Sequence, residues 1–463
     1  MKKKRIVLFV SLIVIILIIG LYPIISKNQL DTRESNTLKI YITGKDDVYD
    51  RRLGGIINEF EKKYPNIKIQ KVMFNPNIKI QKVMFNPNDG DGYVKKMLAD
   101  ILAGDGPDVL YLDNMSTRKL EKSDMLLDLK PFIEKDTSFK KEDYNMKVIE
   151  AGLYNSHQVI MPLDYYVNQY ITTEQLLKKN NVNLQDNYSQ KDFMKALDGY
   201  ITSANGDKNK LLFAMPMNIE DFLASSGEKF IDYDNKKVYF DKPEFKEIID
   251  NYKKIYNASK KPADITGTSG TDGFEALKNG NTLFSNDPID RTQDIFFQYE
   301  SLVNQVIGEK QIINAMPNYK RGDNVTAIVG YSLAISKNTK NKQAAYNFIK
   351  IAISEDIQGS RNLPSSIPVN KKAARDLENQ YMKAEVNHTY KYSKNITIAQ
   401  QPLSNNFQNY YNKIVDNVGN AQITNSDIER MMMESLTPYF EDKSSYETCI
   451  KTLENKVKLY INE

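Results

Sequence analysis

The side chains able to do covalent or metal chemistry are few in this sequence. One cysteine, Cys449, and two histidines cannot supply an internal disulfide or the three or four Cys/His ligands of a usual zinc site, so haem, iron–sulfur and zinc are disfavoured. Cys449 falls in the stripe Tyr446, Cys449, Ile450, Leu453, Val457, Tyr460, whose helical spacing marks a buried, inert thiol. His157, in Asn155-Ser156-His157-Gln158, reads as a surface-loop residue. The chain holds no G-x-S-x-G, H-E-x-x-H or phosphate-binding glycine loop. Asn88-Asp89-Gly90-Asp91-Gly92 has the look of a calcium loop but lacks EF-hand spacing and a terminal Glu, so it reads as a loop and helix cap. Two carboxylates such as Asp47 and Asp113 would suit glycoside chemistry at about 5–9 Å apart, a distance that no sequence spacing sets. The expectation is no catalytic residue, no metal and no cofactor. What remains is non-covalent recognition.

The elements that would position such a site come from an ordinary globular composition. The chain has 463 residues, 41% hydrophobic, 26% charged and 10% aromatic, enough for two to four domains at about 100–200 residues each. Sixty-three Lys and Arg against 59 Asp and Glu leave a formal charge of +4, too balanced for a polyanion-binding surface, so no nucleic acid is expected. Lys2, Lys3, Lys4 and Arg5 precede the uncharged apolar run Ile6 to Ile25. About 20 such residues cross the roughly 30 Å hydrocarbon core, and the basic flank puts the N-terminus inside and the body outside. Residues 1–30 are expected to be a retained single-pass anchor facing the body outward from the cell membrane, with secretion after signal cleavage as the alternative. No Cys follows the run, which excludes a lipoprotein anchor.

Beyond a polar tether, Leu38 to Thr43 alternates as a strand, Leu53, Ile56, Ile57 and Phe60 form a helical stripe, and Ile67, Ile69 and Val72 restart a strand. This strand–helix–strand opening implies a parallel sheet. A helix over Val94–Leu102 and the strand Val109–Leu112 follow. Pro65 to Asn75 is repeated without change from Pro76 to Asn86. Two copies are too few for a repeat fold; one copy fills the sheet, the other protrudes or loops out, and identical residues leave open which pairs. Gln158–Leu163 and Ala327–Ser336 read as crossing strands, the second followed by a helix carrying Ala345, Phe348, Ile349, Ala352 and Ile353. Pro364 and Pro368 bracket a loop, and the chain from Lys371 on reads as mostly helical.

Three stretches together resemble one family. Phe60-Glu61-Lys62-Lys63-Tyr64-Pro65-Asn66-Ile67-Lys68-Ile69, then Leu102-Ala103-Gly104-Asp105-Gly106-Pro107-Asp108-Val109-Leu110, then Leu333 to Lys337 with Asn341 to Ile349, are similar to the family 1 extracellular solute-binding proteins of ABC importers, the maltose-binding-protein-like group. The resemblance implies an α/β, two-lobe periplasmic-binding-protein type II fold with hinge strands, here preceded by the N-terminal transmembrane helix. It places lobe 1 at 37–160 plus 330–377 and lobe 2 at 161–329 plus 378–463. A monomer would capture a small polar ligand, a sugar or oligosaccharide, in the interlobe cleft and deliver it to the transmembrane subunits of an ABC permease. A ligand-sensing ectodomain serving a membrane signalling partner, or a cleft enzyme on the same fold, are the alternatives.

Carried over by position, the resemblance puts Lys45, Asp46, Asp47, Asp113, Asn114 and Met115 in the cleft from lobe 1. Lobe 2 would add Tyr165, Tyr166, Met217, Asn218, Asn286, Asp287, Arg291 and Tyr410. Carboxylates, amides, guanidinium groups and aromatic faces are what sugar hydroxyls and C–H faces require. Sugar binders of the group often stack sugars on Trp; this chain has no Trp and offers Leu112, Pro288 and Tyr410 at the matching places. Each residue also has a plainer reading: Asp46 and Asp47 as caps of the following helix, Asp113 and Asn114 as a turn, Arg291 as a surface charge. Tyr410 lies one residue off the stripe Phe407, Tyr411, Ile414, Val418, which makes Tyr411 core and points Tyr410 elsewhere.

Overall fold

The computed structural model describes the chain apart from residues 1–36, 44–46, 75–89, 113–119, 122–123, 186, 205–206, 208–209, 214–216, 260–271, 286–298, 323, 361–365, 383–388, 394–395 and 463. The opening strand β1 spans Thr37–Thr43 and buries Leu38 and Ile40. Helix α1, Asp47–Lys63, turns Leu53, Ile56, Ile57 and Phe60 inward, and burial of each such side chain contributes roughly 1.5–3 kcal/mol. Pro65 follows, where a helix must stop. Strand β2, Lys68–Phe74, then pairs parallel to β1 along its full length, Thr37 opposite Lys68 and Thr43 opposite Phe74. The first copy of the duplicated segment therefore occupies the sheet, and the second lies outside the described residues. Helix α2, Gly90–Leu102, begins earlier than its apolar pattern and takes in the Gly90-Asp91-Gly92 part of the calcium-like stretch. Strand β3, Val109–Leu112, is buried throughout.

The chain then leaves the first sheet through β4, Met161–Pro162, β5, Asp164–Val167, and β6, Gln169–Thr173. The far side is built from β7, Leu211–Phe213, helix α3, Ile219–Ser225, helix α4, Pro243–Ala258, β8, Thr282–Phe284, and β9, Gln311–Ala315. It returns through β10, Val325–Val329, and β11, Ser332–Ile335, to helix α5, Lys342–Ala352. Phe348 of α5 meets Phe60 of α1 edge-on, ring centroids 5.4 Å apart. Strand β12, Ile367–Pro368, helix α6, Asn405–Asp416, β13, Val418–Gln422, and helices α7, Ser426–Phe440, and α8, Tyr446–Asn462, follow.

Besides separate two-stranded hairpins, the described residues form three larger sheet regions. The first has the order β2-β1-β3-β11-β4, with β1, β2 and β3 parallel and β11 antiparallel to β3 and β4. On the far side β7 and β8 are parallel, β6 and β9 antiparallel, and a bridge between Ile171 and Ser285 joins the two pairs. Between them lies β12-β5-β10-β13. This is the mixed α/β architecture of two bodies linked by crossing strands that the resemblance implies.

Several details differ from the sequence expectation. The crossing strands are broken rather than continuous, between β4 and β5 at Leu163 and between β10 and β11 at Gly330-Tyr331. The loop expected between Pro364 and Pro368 carries β12, whose Ile367 pairs with Tyr165. The C-terminal part is interrupted by a hairpin, Thr389–Ser393 with Ile396–Ala399, and by β13. Helix α6 packs beside the crossing: Phe407, Tyr411 and Ile414 cluster with Ala374 and Tyr165, and the Tyr411 hydroxyl donates to the carbonyl of Ala374 at 3.2 Å. The second core gathers Phe193, Phe213, Phe222, Phe245, Tyr252 and Phe440 with Cys449, Leu453 and Val457 of α8. Cys449 is thus a buried packing residue, as its stripe predicts. Among the described residues no helix is long and apolar enough to cross a membrane; the run Ile6 to Ile25 lies outside them.

Candidate functional site

The register of the strands fixes which strand ends lie together. β1 and β3 run parallel, so they end at the same edge of the first sheet. Ser332 at the start of β11 sits opposite Leu112 at the end of β3, which brings the Gly330-Tyr331 crossing to that same end. On the far side, residues 214–216 and 286–298 follow the ends of the parallel strands β7 and β8, and Ser285 pairs with Ile171 of β6, close to where β6 leaves the crossing. In open α/β sheets, ligands are met at such carboxyl ends of strands.

The floor of this region is held by one carboxylate. Asp164 is fully buried; its Oδ1 accepts the Tyr331 amide at 2.7 Å, and its Oδ2 accepts the Ser366 amide at 3.2 Å and Arg52 Nη1 at 2.5 Å. Backbone bonds reinforce the crossing, Leu163 N–H to Tyr331 O at 2.7 Å and Gly330 N–H to Asp164 O at 3.0 Å. A Cβ on residue 330 would lie 2.3 Å from Asp164 Oδ1, so only glycine lets the second strand approach this closely. Arg52 projects from α1 and is itself buried. Burial works against its charge, but Asp164, helped by Tyr111 and Tyr331, outweighs that and holds its pKa above the ordinary value. The ion pair therefore ties a helix of the first body to both crossing strands.

Aromatic faces line the crossing. Tyr331, half-buried, stacks on Tyr111 of β3 with centroids 5.8 Å apart and planes 15° from parallel, and the Arg52 guanidinium lies 5.9 Å from the Tyr331 ring centroid. Tyr166 is also half-buried. Its hydroxyl reaches both carboxylate oxygens of Asp221 at 3.3 Å. Asp221 lies in the first turn of α3, where Asn218 caps the helix by accepting the amides of Glu220 at 2.8 Å and Asp221 at 3.1 Å. Such an array of a phenol, a carboxylate, an amide and stacked rings can hydrogen-bond hydroxyls and cover an apolar ring face.

The residues expected from sequence divide sharply. Tyr166 and Asn218 come together at the crossing. Tyr165 is fully buried, its hydroxyl donating to Ile414 O at 2.9 Å, and burial pushes its pKa well above the ordinary tyrosine value; neighbouring residues of a strand face opposite sides, so only one of the pair can line a cleft. Met217 sits in the second core, its carbonyl accepting the Tyr252 hydroxyl at 2.7 Å. Tyr410 is buried and donates to Gln169 Oε1 at 2.9 Å, so it is interior like Tyr411 although it lies off the stripe. The backbone of Asp47 begins α1. Lys45, Asp46, Asp113, Asn114, Met115, Asn286, Asp287 and Arg291 lie outside the described residues. Sequence reasoning missed Arg52, Asp164, Asp221 and Tyr331. Asp221 had a local signal, three residues after the capping Asn218; the other three are joined only by the fold. His157 is exposed and contacts Asp128 at 2.8 Å. Among the described residues no group of three or more His, Cys, Asp or Glu is placed to hold a metal ion.

Comparison with known proteins finds a match to the bacterial extracellular solute-binding protein family over residues 51–359. Solved structures share the fold at low identity. The sugar-binding protein MalE of Xanthomonas citri superposes with a TM-score of 0.66 at 15% identity, covering 92% of this chain and 97% of that one. A cyclic alpha-maltosyl-1,6-maltose binding protein of Arthrobacter globiformis gives 0.61 at 12% identity over 92% and 98%. An ABC substrate-binding protein of Listeria monocytogenes in complex with cycloalternan gives 0.59 at 17% identity over 92% and 99%.

Proposed function

We propose a function from one premise: the chain belongs to the bacterial extracellular solute-binding protein family. On this reading it captures a sugar or oligosaccharide between its two bodies, outside the cytoplasm and tethered by residues 6–25, and hands it to an ABC permease. The observation that carries the reading is the convergence of the β1, β3, β7 and β8 ends on a crossing lined by Tyr331, Tyr166, Asp221 and Asn218. With no Trp in the chain, the stacking faces are assigned to Tyr331 and Tyr166. Directional bonds come from Asp221 and Asn218, joined by Lys45, Asp46, Asp47, Asp113, Asn114, Asn286, Asp287 and Arg291 from the loops. Closure about the two crossing strands would bring the halves of this set together, and only the closed form would present both bodies to a permease in register.

The test is thermal unfolding of the full chain in the presence of linear and cyclic glucans, monosaccharides, amino acids and peptides. A true ligand at about 100 times its dissociation constant stabilises by roughly 2.7 kcal/mol. A shift with glucans alone, abolished by Tyr331→Ala, supports the reading. A shift with peptides or amino acids and none with any sugar overturns the substrate class, and no shift with any solute overturns capture.

A further inference from the structure

The duplicated segment can be followed into the fold, and there it has an energetic consequence. Strand β2 is the outermost strand of the first sheet and pairs only with β1 among the described residues. Its seven residues, Lys68 to Phe74, recur in the same order as Lys79 to Phe85, and the identity runs on, since Asn75-Pro76-Asn77 after the first copy matches Asn86-Pro87-Asn88 after the second. Every pairing that β1 makes with the first copy is available with the second. So is the contact of Ile69, which packs against the first core while its amide donates to Glu61 of α1 at 3.2 Å.

The connections do not break the tie. With the first copy seated, α1 ends at Lys63 and β2 begins at Lys68, leaving residues 64–67; β2 ends at Phe74 and α2 begins at Gly90, leaving residues 75–89. Seating the second copy leaves residues 64–78 before the strand and 86–89 after it. The two arrangements thus contain one connection of four residues and one of fifteen, in opposite order (67−63 and 89−74 against 89−85 and 78−63). Closure entropy depends on length as a logarithm, so its sum is the same for both. Register elsewhere in a sheet is fixed because a slip turns apolar side chains to the wrong face; a shift by one whole copy puts an identical residue at each position.

We propose that β2 is filled by either copy, giving two folded arrangements of nearly equal stability that interconvert by release of an edge strand. They differ in where the additional residues emerge. With the first copy seated they follow β2, at the end where β1 and β3 deliver their loops to the crossing; with the second seated they precede it, at the opposite end.

The test is a double-mutant cycle on the full chain, using Ile69→Asp and Ile80→Asp, read as the folding equilibrium constant from denaturant titration. With two equivalent arrangements each single variant removes one of them, a twofold loss that corresponds to about 0.4 kcal/mol. The double variant, with a carboxylate in the core-facing position of either copy, loses on the order of a hundredfold or more. Such non-additivity is the signature of alternatives. If Ile69→Asp alone costs as much as the double variant and Ile80→Asp is silent, or the reverse, one copy holds the slot and the proposal fails. It also fails if both singles are costly and their effects multiply, which would mean that both copies are seated at once.

Discussion

Two contacts at the crossing use a carboxylate in opposite ways. Asp164 is sealed from water and accepts bonds from Tyr331, Ser366 and Arg52 at 2.5–3.2 Å, with every partner on a different segment. Asp221 meets Tyr166 at 3.3 Å from a half-open position. The first arrangement is satisfied and cannot exchange a partner without stranding a buried charge. The second is long and partly wet, so phenol and carboxylate can both turn to a ligand hydroxyl at little loss. Position is set by the dry carboxylate; on the proposed function, recognition falls to the one that can let go.

Removing the dry contact should have the largest effect. Asp164→Ala leaves the Arg52 guanidinium buried without its counter-charge, and about 3–5 kcal/mol of unfolding free energy should be lost in denaturant titrations; a loss below 1 kcal/mol would equate the two carboxylates and end the distinction. Gly330→Ala acts on the same contact sterically, forcing a methyl against Asp164 Oδ1, with an expected loss of about 2–3 kcal/mol that Asp164→Ser, being shorter, should relieve in the double variant. The wet contact should respond differently: Tyr166→Phe is expected to leave stability within about 0.5 kcal/mol of the parent while weakening glucan binding threefold to tenfold in calorimetry. A large stability loss there would make Tyr166 structural.

A third carboxylate, with partners of its own, calibrates the comparison by acid. Burial favours the neutral form of Asp136, but the bonds from Lys350, Ser138 and Tyr346 outweigh it and lower its pKa to about 2, below the ordinary 3.9 of an unfolded aspartate. A depressed folded value stabilises fully above the unfolded pKa and is lost as pH falls through the folded one. Asp136→Asn should therefore remove about 1–2 kcal/mol at neutral pH and flatten the stability profile between about pH 4 and pH 2, whereas Tyr166→Phe should leave that profile unchanged.

Local pattern was enough for the elements that carry their own amphipathic signature. Leu53, Ile56, Ile57 and Phe60 repeat at helical spacing and all are buried; Leu38 and Ile40 alternate and both are buried. The family resemblance reached the two-body architecture because its stretches lie on such elements. The site was less legible. Tyr165 and Tyr166 are neighbours with the same side chain, and only the pairing of β5 with β12 and β10 decides which faces inward. Arg52 and Asp164 are 112 residues apart, and neither sits in a motif, so nothing short of the fold joins them. The packing of helix α6 was hidden for a similar reason: its stripe declares an apolar face but not the partner that covers it.

The strand order β2-β1-β3-β11-β4 has a meaning for synthesis. A ribosome releases β1 to β4 by Pro162, yet the strand that must lie between β3 and β4 begins at Ser332, 170 residues later (332−162). Until then β4 has no neighbour in its sheet, and Asp164 lacks the Tyr331 amide. Contacts of such long sequence separation form late and slowly. The nascent chain is therefore kept from closing its first body until most of it has been made.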